Sequence, residues 1–173
     1  KLNSEDKTDL GNGLPDFTCG LNLGINYKNF DISVYANGAM GNQLVQSLRN
    51  QPNKQANYTT AVLSRWTGEG TSDKMPRVTE TNINWQFSDL FLQKGDFLRI
   101  NNITAGYDFS KLINYKYISQ CRFYASVQNA FTFTKYDGMD PEIGYGTSSW
   151  VSGIDLGYYP RPRTVLIGVN IKF

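Results

Sequence analysis

The chain has 173 residues, 17 of them basic and 15 acidic, for a net charge of +2. Charge so nearly balanced gives no basic field for nucleic acid and no acidic tail. With no His at all, the Ser-His-Asp and Cys-His nucleophile systems and His-ligated zinc are excluded.

Aromatic residues make up 14% of the chain, and Gly and Asn are frequent. This mix suits short strands and turns better than helices. The two cysteines, Cys19 and Cys121, have no metal-ligand spacing and form no disulfide framework. They read as small hydrophobes on apolar strand phases. No apolar run approaches the ~20 residues of a membrane helix.

The chain opens on a polar, loop-like stretch, Lys1–Asp16, with no signal peptide, so the start of the gene product is expected to lie upstream. Strict alternation follows. Phe17, Cys19, Leu21, Leu23, Ile25 and Tyr27 face one way and Thr18, Gly20, Asn22, Gly24 and Asn26 the other. That predicts a strand over 17–27, about the length of a tilted membrane strand. Lys28-Asn29 is a tight break, and alternation resumes at Phe30, Ile32, Val34 and Ala36, predicting a hairpin with a strand over 30–42.

Residues 43–94 lose the pattern and read as a long loop, with a short helix near Thr59–Trp66 and a weak strand near Val78–Phe87. Alternation returns over 95–109. It slips at Asn101-Asn102, as a bulge would make it do. A shorter connection, 110–120, leads to a strand over 121–135. A second long loop, 136–162, precedes the last strand, 163–173, which ends on Phe173.

Short and long connections therefore alternate along the chain. Membrane barrels show this asymmetry, with short periplasmic turns and long extracellular loops. The expected fold is all-β, an antiparallel transmembrane β-barrel, with residues 1–173 as its C-terminal part and the C-terminus in the periplasm. Five strands in lipid would leave two unpaired edges, each open backbone group costing several kcal/mol, on the order of the values for unpaired amides. The remaining strands are expected outside this chain.

Several segments carry a resemblance. Gly95-Asp96-Phe97-Leu98-Arg99-Ile100-Asn101-Asn102-Ile103-Thr104-Ala105-Gly106-Tyr107 resembles a glycine-led "Y-L-R-L-k-N-I-t-L-G-Y" stretch of SusC/RagA-type TonB-dependent transporters. Gln128-Asn129-Ala130-Phe131-Thr132-Phe133-Thr134-Lys135-Tyr136 resembles their "Q-N-L-F-T-F-T-K-Y", and Asp140-Pro141-Glu142 the "D-P-E" that follows. Tyr159-Pro160-Arg161-Pro162-Arg163-Thr164 is similar to "Y-P-x-P-R-T" ahead of the last strand. Asn12 to Tyr27 resembles a further motif, departing from it where Gly13-Leu14 stands before Pro15. Arg65-Trp66-Thr67 and Pro76-Arg77 fit as well.

The resemblance spans nearly the whole chain, in order. It implies the last five or so strands of a barrel of about 22, the size class that holds a plug. The plug domain itself would be absent from this chain. It also implies import of a glycan oligomer or peptide across the outer membrane of a Gram-negative bacterium. The implied partners are the rest of the barrel and plug, TonB acting through the upstream part, a SusD-like surface lipoprotein as lid, and outer-membrane lipid. No cofactor, no nucleic acid and no enzymatic role are implied.

Candidate site residues follow from position. Arg99 and Arg122 fall on or near lumen-facing phases, as substrate or plug contacts or as lumen salt bridges, since Arg facing lipid at mid-depth costs about 2–4 kcal/mol. Tyr145, Trp150, Tyr158 and Tyr159 gather in the second long loop. They suit substrate stacking or lid contact, or alternatively a girdle and loop packing. Tyr27, Phe30, Tyr107 and Phe109 read as the periplasmic girdle. Asp137, Asp140 and Glu142 read as a shaped turn, against a cation loop whose calcium spacing they lack. Val165, Ile167, Val169, Ile171 and Phe173 form the strand expected to serve barrel assembly and closure. Two other readings compete: a complete small outer-membrane barrel, and a soluble β-rich binding or adhesion domain whose apolar face would be hidden in a core.

Overall fold

The computed structural model describes residues 5, 7–47, 59–79, 87–113, 117–143 and 153–173. Five long strands form one antiparallel sheet: β1 (Phe17–Tyr27), β2 (Phe30–Met40), β5 (Phe97–Asp108), β6 (Gln120–Thr134) and β8 (Thr164–Lys172). They pair in that order, each with its neighbour in the meander. Between them run three short strands, β3 (Gln43–Gln46), β4 (Leu92–Lys94) and β7 (Ile154–Asp155), and one helical turn, α1 (Ser110–Ile113).

Register turns the sequence alternation into two continuous faces, because residues directly opposite in an antiparallel pair point the same way. Ile25, Ile32, Ala105, Ala125 and Ile167 form one row across all five strands, and Leu23, Val34, Ile103, Val127 and Val165 the next. On the other face the matching rows are Gly24, Ser33, Thr104, Ser126 and Leu166, then Asn22, Tyr35, Asn102, Gln128 and Thr164.

The phase slip at Asn101 is real and extends across the sheet. The β2–β5 register shifts between Tyr35 and Ala36, and the β5–β6 register between Ile100 and Asn102. The slip returns Ile100 and Leu98 to the apolar face, opposite Phe131 and Phe133. On β6 the same region holds Asn129 at a left-handed φ of 51°, a conformation Asn tolerates better than most residues.

The apolar face is bare. Leu21, Ile25 and Ile167 are 54%, 65% and 71% exposed, and no second sheet covers them among the described residues. A soluble sandwich would bury such positions. The outer strands β1 and β8 each have one paired neighbour and one free edge. The three short strands do not close the ring; they make their own sheet, in the order β4-β3-β7. Among the described residues no helix is long and apolar enough to cross a membrane.

The second sheet grows out of the first. The β2–β5 ladder runs to Ala39↔Phe97, bends, and continues as β3–β4 from Gln43↔Lys94. At the bend the Gly95 amide donates to the Asn42 carbonyl (2.9 Å) and the Gly41 amide to Asp96 Oδ1 (2.7 Å). Gly41 has φ +89° and a Cβ there would strike the Asp16 carboxylate, so only glycine fits. This kink ends β2 at Met40, short of the expected 42.

The stretches read as long loops thus carry ordered structure beyond the main sheet. β7 of the second lies parallel to β3 of the first, Val45 opposite Ile154. The expected helix near Thr59–Trp66 is a 3-10 helix over Thr60–Ser64. Val78, Thr79 and Phe87 are not in a strand, and residues 80–86 lie outside the described residues. The most buried apolar side chains gather at this loop end, among them Leu44, Phe91, Phe97 and Tyr136.

Candidate functional site

Charged side chains on the five strands sit on the polar face, in two clusters at opposite ends. At the turn end Arg122 projects from β6 and pairs with Asp31 of β2. Its Nε donates to Oδ1 (2.7 Å) and its Nη2 to Oδ2. The pair spans β5, and it can do so because the residue between is Gly106. A Cβ at Gly106 would lie 2.5 Å from Arg122 Nη2 and 2.6 Å from Asp31 Oδ1. The Arg122 guanidinium also lies over the Tyr124 ring, 5.1 Å from its centroid.

At the loop end Arg99 of β5 is 2% exposed. Its Nη2 donates to Asp140 Oδ1, its Nη1 to Glu142 Oε2 (2.8 Å) and its Nε to Thr132 Oγ1 on β6 (3.1 Å). Arg161 adds a longer contact to the free oxygen of Glu142 (3.6 Å). A buried guanidinium needs such partners, since leaving one charge unpaired costs several kcal/mol, on the order of 3–5. The segment after β6 is therefore folded down onto the sheet by Arg99. Asp140 and Glu142, weighed above as turn or cation ligand, are counter-ions to this arginine.

Between the clusters the polar face is neutral. Ser126 Oγ donates to Asn102 Oδ1 (2.8 Å) and shares a hydrogen bond with Thr104 (2.8 Å). Next to Arg99 a cleft of about 350 Å³ opens between upper β6 and the segment 160–163, lined by Asn129, Thr132, Met139, Pro160, Arg161 and Arg163. Among the described residues no group of three or more His, Cys, Asp or Glu is placed to hold a metal.

The aromatic candidates divide. Tyr145 and Trp150 lie outside the described residues. Tyr159 is 87% exposed and Tyr158 half-buried, both between β7 and β8. At the turn end Phe30, Tyr107 and Phe109 form a chain of edge-to-face contacts, each ring 4.6 Å from the next, and Tyr27 pairs opposite Phe30. On β8, Val165, Ile167, Val169 and Ile171 point to the apolar face, and Phe173 follows the strand with its ring exposed.

Sequence reasoning missed two residues of the loop end. Tyr136 donates its hydroxyl to Asp155 Oδ2, and both side chains are buried. Asp155 also accepts from the Gly157 amide (2.8 Å), closing an Asx turn. The Asp-Leu-Gly spelling signals such a turn, but nothing local pairs it with Tyr136. Arg161 was read only as part of a motif, and its contact to Glu142 was missed.

This chain is similar along its length to TonB-dependent receptors. It is 33% identical over 175 residues to the TonB-dependent receptor SusC of Bacteroides thetaiotaomicron, covering 99% of this chain and 16% of that one. It is 31% identical over 182 residues to TonB-dependent receptor P3 of Formosa agariphila, covering 100% of this chain and 18% of that protein. Its fold matches a solved structure of the RagAB peptide transporter with a TM-score of 0.80 at 22% identity, over 100% of this chain and 19% of that one. The chain is a segment of a SusC/RagA-type receptor. No family model matches it. It spans less than a fifth of the length of these relatives, so the SusC/RagA-type sheet is part of a larger barrel. TonB-dependent receptors are outer-membrane β-barrel proteins. The matched proteins bear the names of receptors and a transporter.

Proposed function

We propose that this SusC/RagA-type segment is wall and outer rim of a TonB-dependent importer that carries a glycan oligomer or peptide across the outer membrane. One observation carries the reading. The five strands make a wall with one bare apolar face and one polar, ion-paired face, and both ordered loop segments rise from the same end. That is the division a barrel needs between lipid and lumen. In this reading Arg99 and Arg122 face the lumen as salt bridges, and the turn end with Lys28-Asn29 and Phe173 lies in the periplasm.

The partners follow from the same reading. The free edges of β1 and β8 pair with barrel strands outside this chain, and Val165, Ile167, Val169, Ile171 and Phe173 serve assembly and closure. A plug fills the lumen, TonB acts through the upstream part, and a SusD-like lipoprotein covers the loop end. Tyr158 and Tyr159, with Tyr145 and Trp150, contact substrate or lid. One solved structure of matching fold is named a peptide transporter, which favours the peptide class; the glycan class comes from the resemblance of the sequence motifs alone.

The test is uptake by the full-length protein with its lipoprotein partner in intact cells. Fluorescent oligosaccharides and oligopeptides are supplied with and without a working TonB. Uptake of one class that stops without TonB is expected. Uptake of neither, with the protein present in the outer membrane, rejects the importer. Thiol labelling from outside, at cysteines placed in 153–163 and at Lys28, tests the orientation: only the first group should react.

A further inference from the structure

Two connections close the same end of the wall, and they differ in character. The β1–β2 turn is Lys28-Asn29, polar as a turn in water should be. The β5–β6 connection instead carries α1, where Leu112 is 70% and Ile113 44% exposed. Both lie past Phe30, Tyr107 and Phe109, the chain of rings at the edge of the apolar face.

The backbone sets which way they point. Phe109 is in phase with Tyr107, and its amide donates to the Cys121 carbonyl (2.7 Å), so it carries the apolar face one position beyond the β5–β6 ladder. The Leu112 and Ile113 amides both donate to the Phe109 carbonyl (2.8 and 3.1 Å). Residues three and four further along a helical turn come round to the side of the first. Leu112 and Ile113 therefore continue the side of Phe109, while Lys111 falls away from it.

Polar bonds hold the connection in this shape. Asp108, on the polar phase opposite Arg122, accepts from the Ser110 amide (2.9 Å) and from the Ser110 hydroxyl. Ser110 Oγ accepts in turn from the Cys121 amide (3.1 Å). At the far end the Ser119 amide donates to the Lys172 carbonyl (2.8 Å). Tyr117, two residues before it, is exposed.

We infer that α1 is a membrane anchor, seating Leu112 and Ile113 at the boundary between headgroups and chains of the periplasmic leaflet. The inference rests on the membrane reading above. Contiguous exposed apolar side chains mark an interaction site, and these two are continuous through Phe109 with the face that meets lipid. A patch for a soluble periplasmic protein would need no such continuity. An amphipathic element at this boundary sinks its apolar side about 5–10 Å. Lys111 and Tyr117 suit the same level, because a lysine stem reaches back to water and tyrosine settles among headgroups.

The experiment uses the full-length protein with its native cysteines, Cys19 and Cys121 included, changed to alanine. Leu112→Cys, Ile103→Cys and Lys28→Cys each supply a sole thiol, which is labelled with bimane. Each protein is reconstituted in phosphatidylcholine vesicles whose chains carry a doxyl quencher either near the headgroup or near the chain end. The Ile103 label, mid-wall, should be quenched best from the chain end. The Leu112 label should be quenched best from near the headgroup, and severalfold more than the Lys28 label, which controls for the affinity of the dye itself. Quenching at Leu112 no stronger than at Lys28, with Ile103 quenched, overturns the anchor and leaves the membrane wall standing. Absence of quenching at Ile103 overturns the membrane reading and the anchor with it.

Discussion

Arg99 and Asp140, 41 residues apart in sequence, meet in a buried ion pair that fixes the segment after β6 to the sheet. The pair joins the wall to the loops above it. Removing Asp140 strands a guanidinium that is 2% exposed, with Glu142 its remaining counter-ion.

Asp140→Ala should therefore destabilise the loop end by about 3–5 kcal/mol, while removing both charges with Arg99→Met and Asp140→Leu should cost less than the single change. Limited proteolysis of the full-length protein, read as cleavage within 136–143, checks the order. Equal protection in the parent and the single variant would count against the pair as the anchor.

Tyr136→Phe leaves Asp155 without its buried hydroxyl donor. A loss of about 1–3 kcal/mol is expected, typical of a buried acceptor left unsatisfied. Because Asp155 sits on β7 beside β3, faster hydrogen exchange should appear at Val45, whose amide donates to the Gly153 carbonyl. Exchange along β1 and β2 should stay as it was.

Gly41 and Gly24 offer a controlled comparison. Alanine at Gly41 would carry φ +89° and drive its Cβ into Asp16, whereas nothing lies within 4 Å of a Cβ at Gly24. Gly41→Ala should cost about 1–2 kcal/mol or more, from left-handed strain alone, and Gly24→Ala should be near neutral. Urea midpoints of the refolded full-length protein give the comparison.

These sites show what could be read from the chain alone. The five-strand wall was legible because its apolar face repeats every second residue, from Phe17 to Tyr27 and from Val165 to Ile171, and even the bulge at Asn101 shows as a broken phase. The loop end was not. β3 and β7 are too short to carry a period, and their parallel pairing joins Val45 to Ile154 across more than a hundred residues. Arg99 could be placed on the polar phase, but its choice of Asp140 and Glu142 depends on how 136–143 folds back, which no local pattern encodes. The acidic cluster looked like a surface turn because its partner lies on another strand.

The strongest demand concerns the apolar rows. Ile103 sits mid-strand on the bare face, between Val34 and Val127, while Asn22 lies mid-strand on the opposite face, on a stretch of β1 with Gly20 and Gly24 open beside it. Ile103→Lys should cost about 2–4 kcal/mol if that face meets the bilayer centre, and Asn22→Lys close to nothing if its face meets water. Heat-modifiable migration of the full-length protein from outer-membrane fractions reports the folded yield. Ile103→Lys should lower it severalfold and Asn22→Lys should leave it at the parental level. Equal tolerance of both lysines would mean that the two faces meet the same solvent, and the wall would then not be a membrane wall.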